Sequence, residues 1–168
     1  QAAGIKKVLT LDRHSEASEK IYGEIYRCDP KNVFFNLDPV PIFINYLLRS
    51  GINGGKKGEN LVILAPDKGA KKAVERMYEL SGLTDASLMF CNKYRQVANY
   101  AKRIEAAVEK TSENFKGIEG KIVVGLDDKG DTLGTLNKTL VEGLGKYGTP
   151  KQIHALLSHM IFSSRTPY

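Results

Sequence analysis

Residues 123–135 read VVGLDDKGDTLGT, and this stretch decides which fold the sequence predicts. An apolar run typical of a buried strand ends at two carboxylates, Asp127 and Asp128. A short loop of small and polar residues follows, and then a helix-like run begins. Backbone N–H groups at a helix N-terminus bind anions, while carboxylates accept hydrogen bonds from hydroxyl groups or lie beside a metal. The order strand, acidic pair, loop and helix therefore predicts a site for a sugar phosphate.

Short apolar runs alternate with helix-like patterns on both sides of this stretch. Most of the runs lack strict alternation of polar and apolar residues, as in strands that are buried on both faces. The sequence predicts six strands, at 7–11, 32–35, 61–65, 87–90, 121–126 and 152–157. It predicts five helices, at 15–26, 39–49, 70–81, 97–110 and 134–145. The predicted fold class is therefore α/β, with a mostly parallel sheet flanked by helices.

Polar or charged side chains follow five of the predicted strands at the point where each strand ends. These groups are DRHS at 12–15, PDKGA at 66–70, NKYR at 92–95, the acidic pair and His159. The carboxyl ends of parallel strands meet at one edge of a sheet, which is where open α/β sheets bind ligands. The repetition predicts an active site at that edge.

The composition and the cysteine spacing are those of a soluble globular protein. The chain has 168 residues, of which 42% are hydrophobic and 26% charged, and its length predicts one domain. No apolar stretch is long enough to span a membrane and no signal-peptide pattern is present, so no membrane partner is expected. Cys28 and Cys91 match no metal-binding spacing and predict reduced thiols in a cytoplasmic protein.

The charge balance favours small anionic ligands over nucleic acid. The formal net charge is +6 and the pI is about 9.2. The basic residues are dispersed in pairs, and aromatic residues are not interleaved with them as a nucleic-acid stacking platform requires. A solvated surface with a mild excess of charge is the simplest interpretation, and such a surface also steers small polyphosphates towards a site.

Five segments, in matching order, resemble the ribose-phosphate pyrophosphokinases, a family with the type I phosphoribosyltransferase fold. The segments are VLTLDRHS at 8–15, PDKGAKKA at 66–73, KYR at 93–95, DDKGDTLGT at 127–135 and ALLSHMIFS at 155–163. The DTLGT pattern alone is typical of the wider phosphoribosyltransferase group, whereas the five segments together are specific. The resemblance implies that residues 1–168 form a single domain of a longer two-domain chain, and that the protein is a homo-oligomer.

The resemblance also implies an activity: Mg²⁺-dependent transfer of diphosphate from ATP to ribose 5-phosphate, which yields 5-phosphoribosyl 1-diphosphate. It implies that ribose 5-phosphate is bound by Asp127, Asp128, Asp131, Thr132, Gly134 and Thr135, with the acidic pair on the ribose hydroxyls. It implies that His14 and Asp67 lie at the magnesium and the ATP phosphates. Lys93 and Arg95 would be the catalytic residues that stabilise the transferring diphosphate, since this chemistry depends on positioning and charge neutralisation.

Some residues depart from the family pattern and leave other functions open. Leu133 stands where the family has glycine, where a side chain would crowd the phosphate or disfavour a positive φ. Gly125 and Lys129 are also unusual beside the loop. One alternative function is a non-catalytic regulatory or assembly homologue that keeps the ribose-phosphate pocket. Another is a phosphoribosyltransferase that consumes the diphosphate product. Simpler roles are a turn closed by Asp67 and a structural His159.

Overall fold

The computed structural model describes residues 4–13, 17–94, 105–130 and 144–161. The chain divides into two compact units, Gln1–Pro39 and Val40–Tyr168. Within the described residues, the strands form two separate sheets, one of two strands and one of five. The prediction that residues 1–168 form a single domain stays a prediction.

The first unit contains a small parallel sheet and one α-helix. Strand β1, Val8–Leu11, pairs with β2, Phe34–Leu37, and helix α1, Ala17–Tyr26, connects them. A short 3₁₀ helix at Pro30–Asn32 precedes β2, and the Asp29 side chain caps it by accepting a hydrogen bond from the Lys31 N–H. Because the 3₁₀ helix occupies these residues, β2 begins two residues later than the predicted strand at 32–35.

The second unit is built on a five-stranded sheet with the order β5-β4-β3-β6-β7. Its strands are β3 Leu61–Ala65, β4 Ser87–Tyr94, β5 Glu105–Thr111, β6 Ile122–Gly130 and β7 Gln152–Met160. All neighbouring pairs are parallel except β4 and β5, which run antiparallel. The mostly parallel sheet predicted from the sequence is therefore confirmed.

Two helices cover one face of this sheet. Helix α2, Val40–Ser50, packs against α3, Lys71–Ser81. Their buried side chains, which include Leu47, Val74 and Met77, form one core cluster with alternate residues of β3. Helix α3 ends as predicted at Gly82, whose φ of 71° is the left-handed conformation that glycine adopts without strain. In the described part of the chain, every helix is too short or too polar to cross a membrane.

A second core cluster covers the other face of the sheet. It joins residues of β3, β4 and β6 to Ile118 and Leu144, which come from the connecting segments. Because both faces are covered, each of the five residues of β3 is at most 1% exposed. This double burial is the physical reason why β3 has a continuous apolar sequence.

The prediction of a helix at 97–110 is wrong for its described part. Residues 105–110 lie in β5, which pairs with β4 and has an irregularity opposite Phe90 and Cys91. The sequence EAAVEK contains good helix formers, but helix propensity is a weak preference that pairing with an existing sheet overrides. The predicted helix at 134–145 lies outside the described residues as far as 143, and Gly145 begins a short 3₁₀ helix, Gly145–Tyr147.

Candidate functional site

Three carboxylates lie together at the carboxyl ends of β3 and β6, two parallel neighbours. The register places Leu64 opposite Gly125, so that Asp67 and Asp127 follow at similar heights along the two strands. The charge of Asp67 acts on Asp127 strongly enough to raise its pKa. The acidic pair lies inside β6, which continues to Gly130 and so extends four residues beyond its predicted end. The proximity of Asp67 to the acidic pair follows from the rule that the carboxyl ends of parallel strands meet at one edge of a sheet.

The protonation of Asp127 is perturbed by its surroundings. Burial is the main cause that raises the pKa of Asp127 from 3.8 to about 6. The negative charges of Asp67 and Asp128 and a side-chain hydrogen bond with Asp128 raise the pKa further. The Asp128 N–H opposes these effects by donating a hydrogen bond of 2.9 Å to Asp127 Oδ1. A bound cation or a set of donating hydroxyl groups would relieve this concentration of like charge.

The backbone positions of Asp127 and Asp128 lie on opposite faces of the sheet, because successive residues alternate along a strand, while their carboxyl groups approach each other and share a hydrogen bond. Asp127 shares its face with Val123, which belongs to the second core cluster. Asp128 shares its face with Val124 and Leu126, which belong to the cluster formed with α2 and α3. Both carboxylates are partly exposed. The pair therefore straddles the edge of the sheet, and a ligand lying across that edge can contact both.

Asp67 has a structural role as well as a place in the carboxylate group. Its Oδ1 accepts hydrogen bonds from the N–H groups of Gly69, at 2.9 Å, and Ala70, at 3.4 Å, and so closes the turn between β3 and α3. A Cβ atom on Gly69 would lie 3.2 Å from that oxygen, so glycine allows the close approach. Gly69 is not among the predicted site residues, although Asp followed by Gly two residues later is a signal for such a turn.

Lys93 lies in a strand and not in the predicted loop. Strand β4 extends to Tyr94, and the Lys93 backbone is opposite Ala106 of the antiparallel β5. Ala65, at the end of β3, is opposite Phe90 of β4. The backbone of Lys93, further along β4, therefore lies beyond the edge of the sheet where the carboxylates are. The predicted strand at 87–90 was therefore four residues too short, because the polar sequence NKY was interpreted as a loop.

Six of the ten predicted site residues lie outside the described residues. Four of them belong to the DTLGT loop and two belong to other segments: Asp131, Thr132, Gly134, Thr135, His14 and Arg95. Their roles stay predictions. The turn that leads to His14 is described as far as Arg13. Asp12 there has a φ of 47°, in the left-handed region, and its N–H donates to the Leu37 carbonyl at 2.9 Å.

The carboxylates suit a magnesium ion that is shared with a ligand. Among the described residues, no group of three or more His, Cys, Asp or Glu side chains is arranged to hold a metal ion alone. Carboxylate oxygens are the ligands that Mg²⁺ prefers, and this ion usually binds one or two carboxylates together with water and substrate phosphates. The donor chemistry therefore fits a magnesium–phosphate ligand better than a cage built entirely by protein.

Comparison of the sequence with curated proteins identifies relatives that cover almost the whole chain. Ribose-phosphate pyrophosphokinase from Fusobacterium nucleatum is 24% identical over 161 residues, which are 96% of this chain and 43% of that protein. Ribose-phosphate pyrophosphokinase 2 from Enterococcus faecalis is 29% identical over 170 residues, again 43% of that protein. The chain thus spans less than half the length of these relatives. No protein-family model matches it.

Comparison with solved structures identifies the same fold. Phosphoribosylpyrophosphate synthetase from Mycobacterium smegmatis has a TM-score of 0.59 and 20% identity, and the match covers 92% of this chain and 43% of that one. At this identity the likeness concerns the fold alone, and it confirms the predicted type I phosphoribosyltransferase-like architecture. In sequence and in fold, the chain is similar to the ribose-phosphate pyrophosphokinases over nearly all of its length.

Proposed function

We propose that this chain carries the ribose-phosphate site of an enzyme that makes 5-phosphoribosyl 1-diphosphate from ATP and ribose 5-phosphate. The observation that carries the proposal is the meeting of Asp67 with Asp127 and Asp128 at the edge of two parallel strands. The names of the curated relatives support the same reaction. In this reaction the anomeric hydroxyl oxygen forms a bond to the β-phosphorus of ATP. The bond from that phosphorus to the oxygen bridging the α- and β-phosphates breaks, AMP leaves with that oxygen, and the hydroxyl proton is released.

Asp127 and Asp128 would bind the sugar by accepting hydrogen bonds from ribose hydroxyl groups. Their carboxyl groups lie close together at the end of β6 and suit neighbouring hydroxyls of one sugar. A carboxylate that accepts from a neutral donor forms a shorter and stronger hydrogen bond than a neutral acceptor does. Hydrogen bonds from the ribose hydroxyls would stabilise the ionised form of Asp127 and so oppose the burial and repulsion that raise its pKa.

Three neighbouring carboxylates would repel the phosphates of ATP unless a cation lies between them. Mg²⁺ would neutralise charge on the phosphates. Asp67 would offer a carboxylate oxygen to that ion, while its hydrogen bond from Gly69 keeps it in place. Lys93 and Arg95 would stabilise the transferring diphosphate, as the resemblance implies. His14 keeps its predicted role at the metal.

The proposal is tested by phosphorus NMR of the protein with ATP, Mg²⁺ and ribose 5-phosphate. AMP and phosphoribosyl diphosphate are expected from the unmutated chain, while Lys93→Ala and Asp128→Asn should form neither. Asp85→Asn, an exposed carboxylate on the turn before β4, is the matched control and should keep the activity. Equal turnover in Asp128→Asn and the unmutated chain would show that the acidic pair does not bind the sugar, and the proposal would fail.

A second candidate function is a regulatory or assembly homologue that binds the sugar phosphate without turnover. Leu133, in place of the glycine of the phosphate loop, favours it. The same NMR samples separate the two functions, because a binding protein would broaden the ribose 5-phosphate resonance and form no AMP. The cytoplasmic location and the homo-oligomer stay predictions.

A further inference from the structure

Strands β6 and β7 continue side by side beyond the acidic pair. Lys129 is the register partner of His159, and Gly130 is the partner of Met160. The pairing is maintained past the strand end by a hydrogen bond of 2.7 Å from the Ile161 N–H to the Gly130 carbonyl. Lys129 and His159 are therefore held on a regular ladder and have defined positions at the edge of the sheet.

Both residues lie on the same face of the sheet as Asp127. Asp127 pairs with Leu157, and the next residues on that face are Lys129 and His159. Neighbouring strands are about 4.8 Å apart, and alternate residues of one strand are about 6.6 Å apart. One sugar phosphate can therefore span the distances between the backbone positions of Lys129, His159 and Asp127.

The burial pattern of β6 changes at Lys129. Residues 123–126 of β6 are buried and its acidic pair is partly buried, whereas Lys129 is exposed. His159 is half-buried beside it. Lys129 directly follows the acidic pair in the chain and comes two residues before the predicted phosphate loop at 131–135. A cationic donor suits a phosphate group that is held next to sugar-binding carboxylates.

We propose that Lys129, with His159 beside it, binds the phosphate of the sugar whose hydroxyls are held by Asp127 and Asp128. The inference rests on the proposed function and deepens it, because it names the residues that select a phosphorylated sugar over a free one. A lysine ammonium has three donors and binds phosphate as a point charge. It would compensate for weaker phosphate binding by a loop that has Leu133 in place of glycine. Lys129 is thus a specificity residue and not a participant in the bond changes.

The test is an NMR titration of the unmutated chain and its variants with ribose 5-phosphate and, separately, with ribose. Lys129→Met should weaken ribose 5-phosphate binding about tenfold or more, as expected when a charged hydrogen bond is lost, and should leave ribose binding unchanged. Lys129→Arg should restore most of the affinity, and His159→Gln should give a smaller loss for the phosphorylated sugar only. Lys151→Met is the control, because this exposed lysine lies at the opposite end of β7.

The outcomes separate this inference from the proposed function. If Asp128→Asn loses both ligands while Lys129→Met binds both normally, the sugar site stands and the role of Lys129 is overturned. If Lys129→Met weakens ribose as much as ribose 5-phosphate, the lysine acts only through the carboxylates and the inference is also overturned. Absence of binding by the unmutated chain would overturn both proposals. Thermal unfolding of each variant shows whether the half-buried His159 position still folds.

Discussion

Asp127 is held where its negative charge opposes folding. Its pKa rises from 3.8 to about 6 in the folded protein, chiefly through burial and the charge of Asp67. The folded state therefore holds the proton more tightly than the unfolded state does. The resulting contribution to stability is fully present below about pH 4 and is lost as the pH rises through about 6. A residue whose ionised form destabilises the fold is typical of a functional site.

Removal of this charge should stabilise the protein at neutral pH. Asp127→Asn keeps an oxygen that can accept the Asp128 N–H, and we expect its free energy of unfolding at pH 7.5 to rise by about 1–2 kcal/mol, allowing for solvent screening. At pH 4 the two proteins should be equally stable. Urea unfolding at pH 4, 6 and 7.5 measures the difference. Asp85→Asn is the exposed control, and a destabilised Asp127→Asn at pH 7.5 would contradict the prediction.

The two roles of Asp67 can be separated by two substitutions. Asp67→Ala removes the acceptor for the Gly69 and Ala70 N–H groups, so the protein should lose about 1–2 kcal/mol of stability. Asp67→Asn keeps a carbonyl oxygen for these donors and should be nearly as stable as the unmutated chain. Both should lose the Mg²⁺ dependence of ATP binding. Chemical unfolding measures the change in stability, and calorimetric titration measures the Mg²⁺ dependence of ATP binding. Full Mg²⁺ dependence in Asp67→Asn would show that Asp67 only closes the turn.

Among the elements, the buried strands were predictable and the antiparallel edge strand β5 was not. The apolar sequence LVILA predicts both ends of β3 correctly, because a strand covered on both faces needs apolar residues throughout. Strand β5 has the sequence EAAVEKT, and only its pairing with β4 makes it a strand. Strands β4 and β6 continue into polar sequence beyond the apolar run that predicts each of them.

The turn before β3 depends on a glycine that has no room for a side chain. Gly58 has a φ of 82°, and a Cβ there would lie 3.0 Å from the Ala86 Cβ. Gly82, after α3, has a φ of 71° and nothing within 4 Å of its Cβ position. Gly82→Ala should therefore cost about 1 kcal/mol of stability from backbone strain alone. Gly58→Ala should cost about 1–3 kcal/mol more because of crowding.

Thermal and urea unfolding of the two glycine variants measure this difference. The difference in stability between the unmutated protein and Gly82→Ala measures the cost of backbone strain without steric crowding. Equal stability of the two variants would mean that Ala86 and its neighbours move aside without cost.

For the whole molecule, stability should differ between the two units. Leu9 of β1 is 67% exposed and Leu37 of β2 is 48% exposed, and a sheet of two strands is only marginally stable by itself. Strand β3 lies at the centre of five strands, and its side chains are fully buried. We expect the amides of β1 and β2 to exchange with deuterium much faster than those of β3. Mass spectrometry of exchanged peptides measures this, and equal protection would contradict it.

The arrangement of the candidate site was predictable only where topology determines it. The sequence placed Asp67 and the acidic pair at one edge, because strands of a parallel sheet end on the same side. It did not place Lys93 in a strand, since that depends on the unexpected pairing with β5. The position of Lys129 opposite His159 depends on how far β6 and β7 extend, and polar sequence at strand ends gives no signal for this.

The pairing of β3 with β6 also determines when the carboxylates can come together during folding. Asp67 and Asp127 are about sixty residues apart in the chain, so they meet only after a contact of high sequence separation has formed. Such contacts form slowly, since the entropy of closing a long loop is lost before the contact is gained. A newly synthesised chain should therefore acquire affinity for its ligand late. The bound ligand then selects fully folded molecules and protects them by mass action.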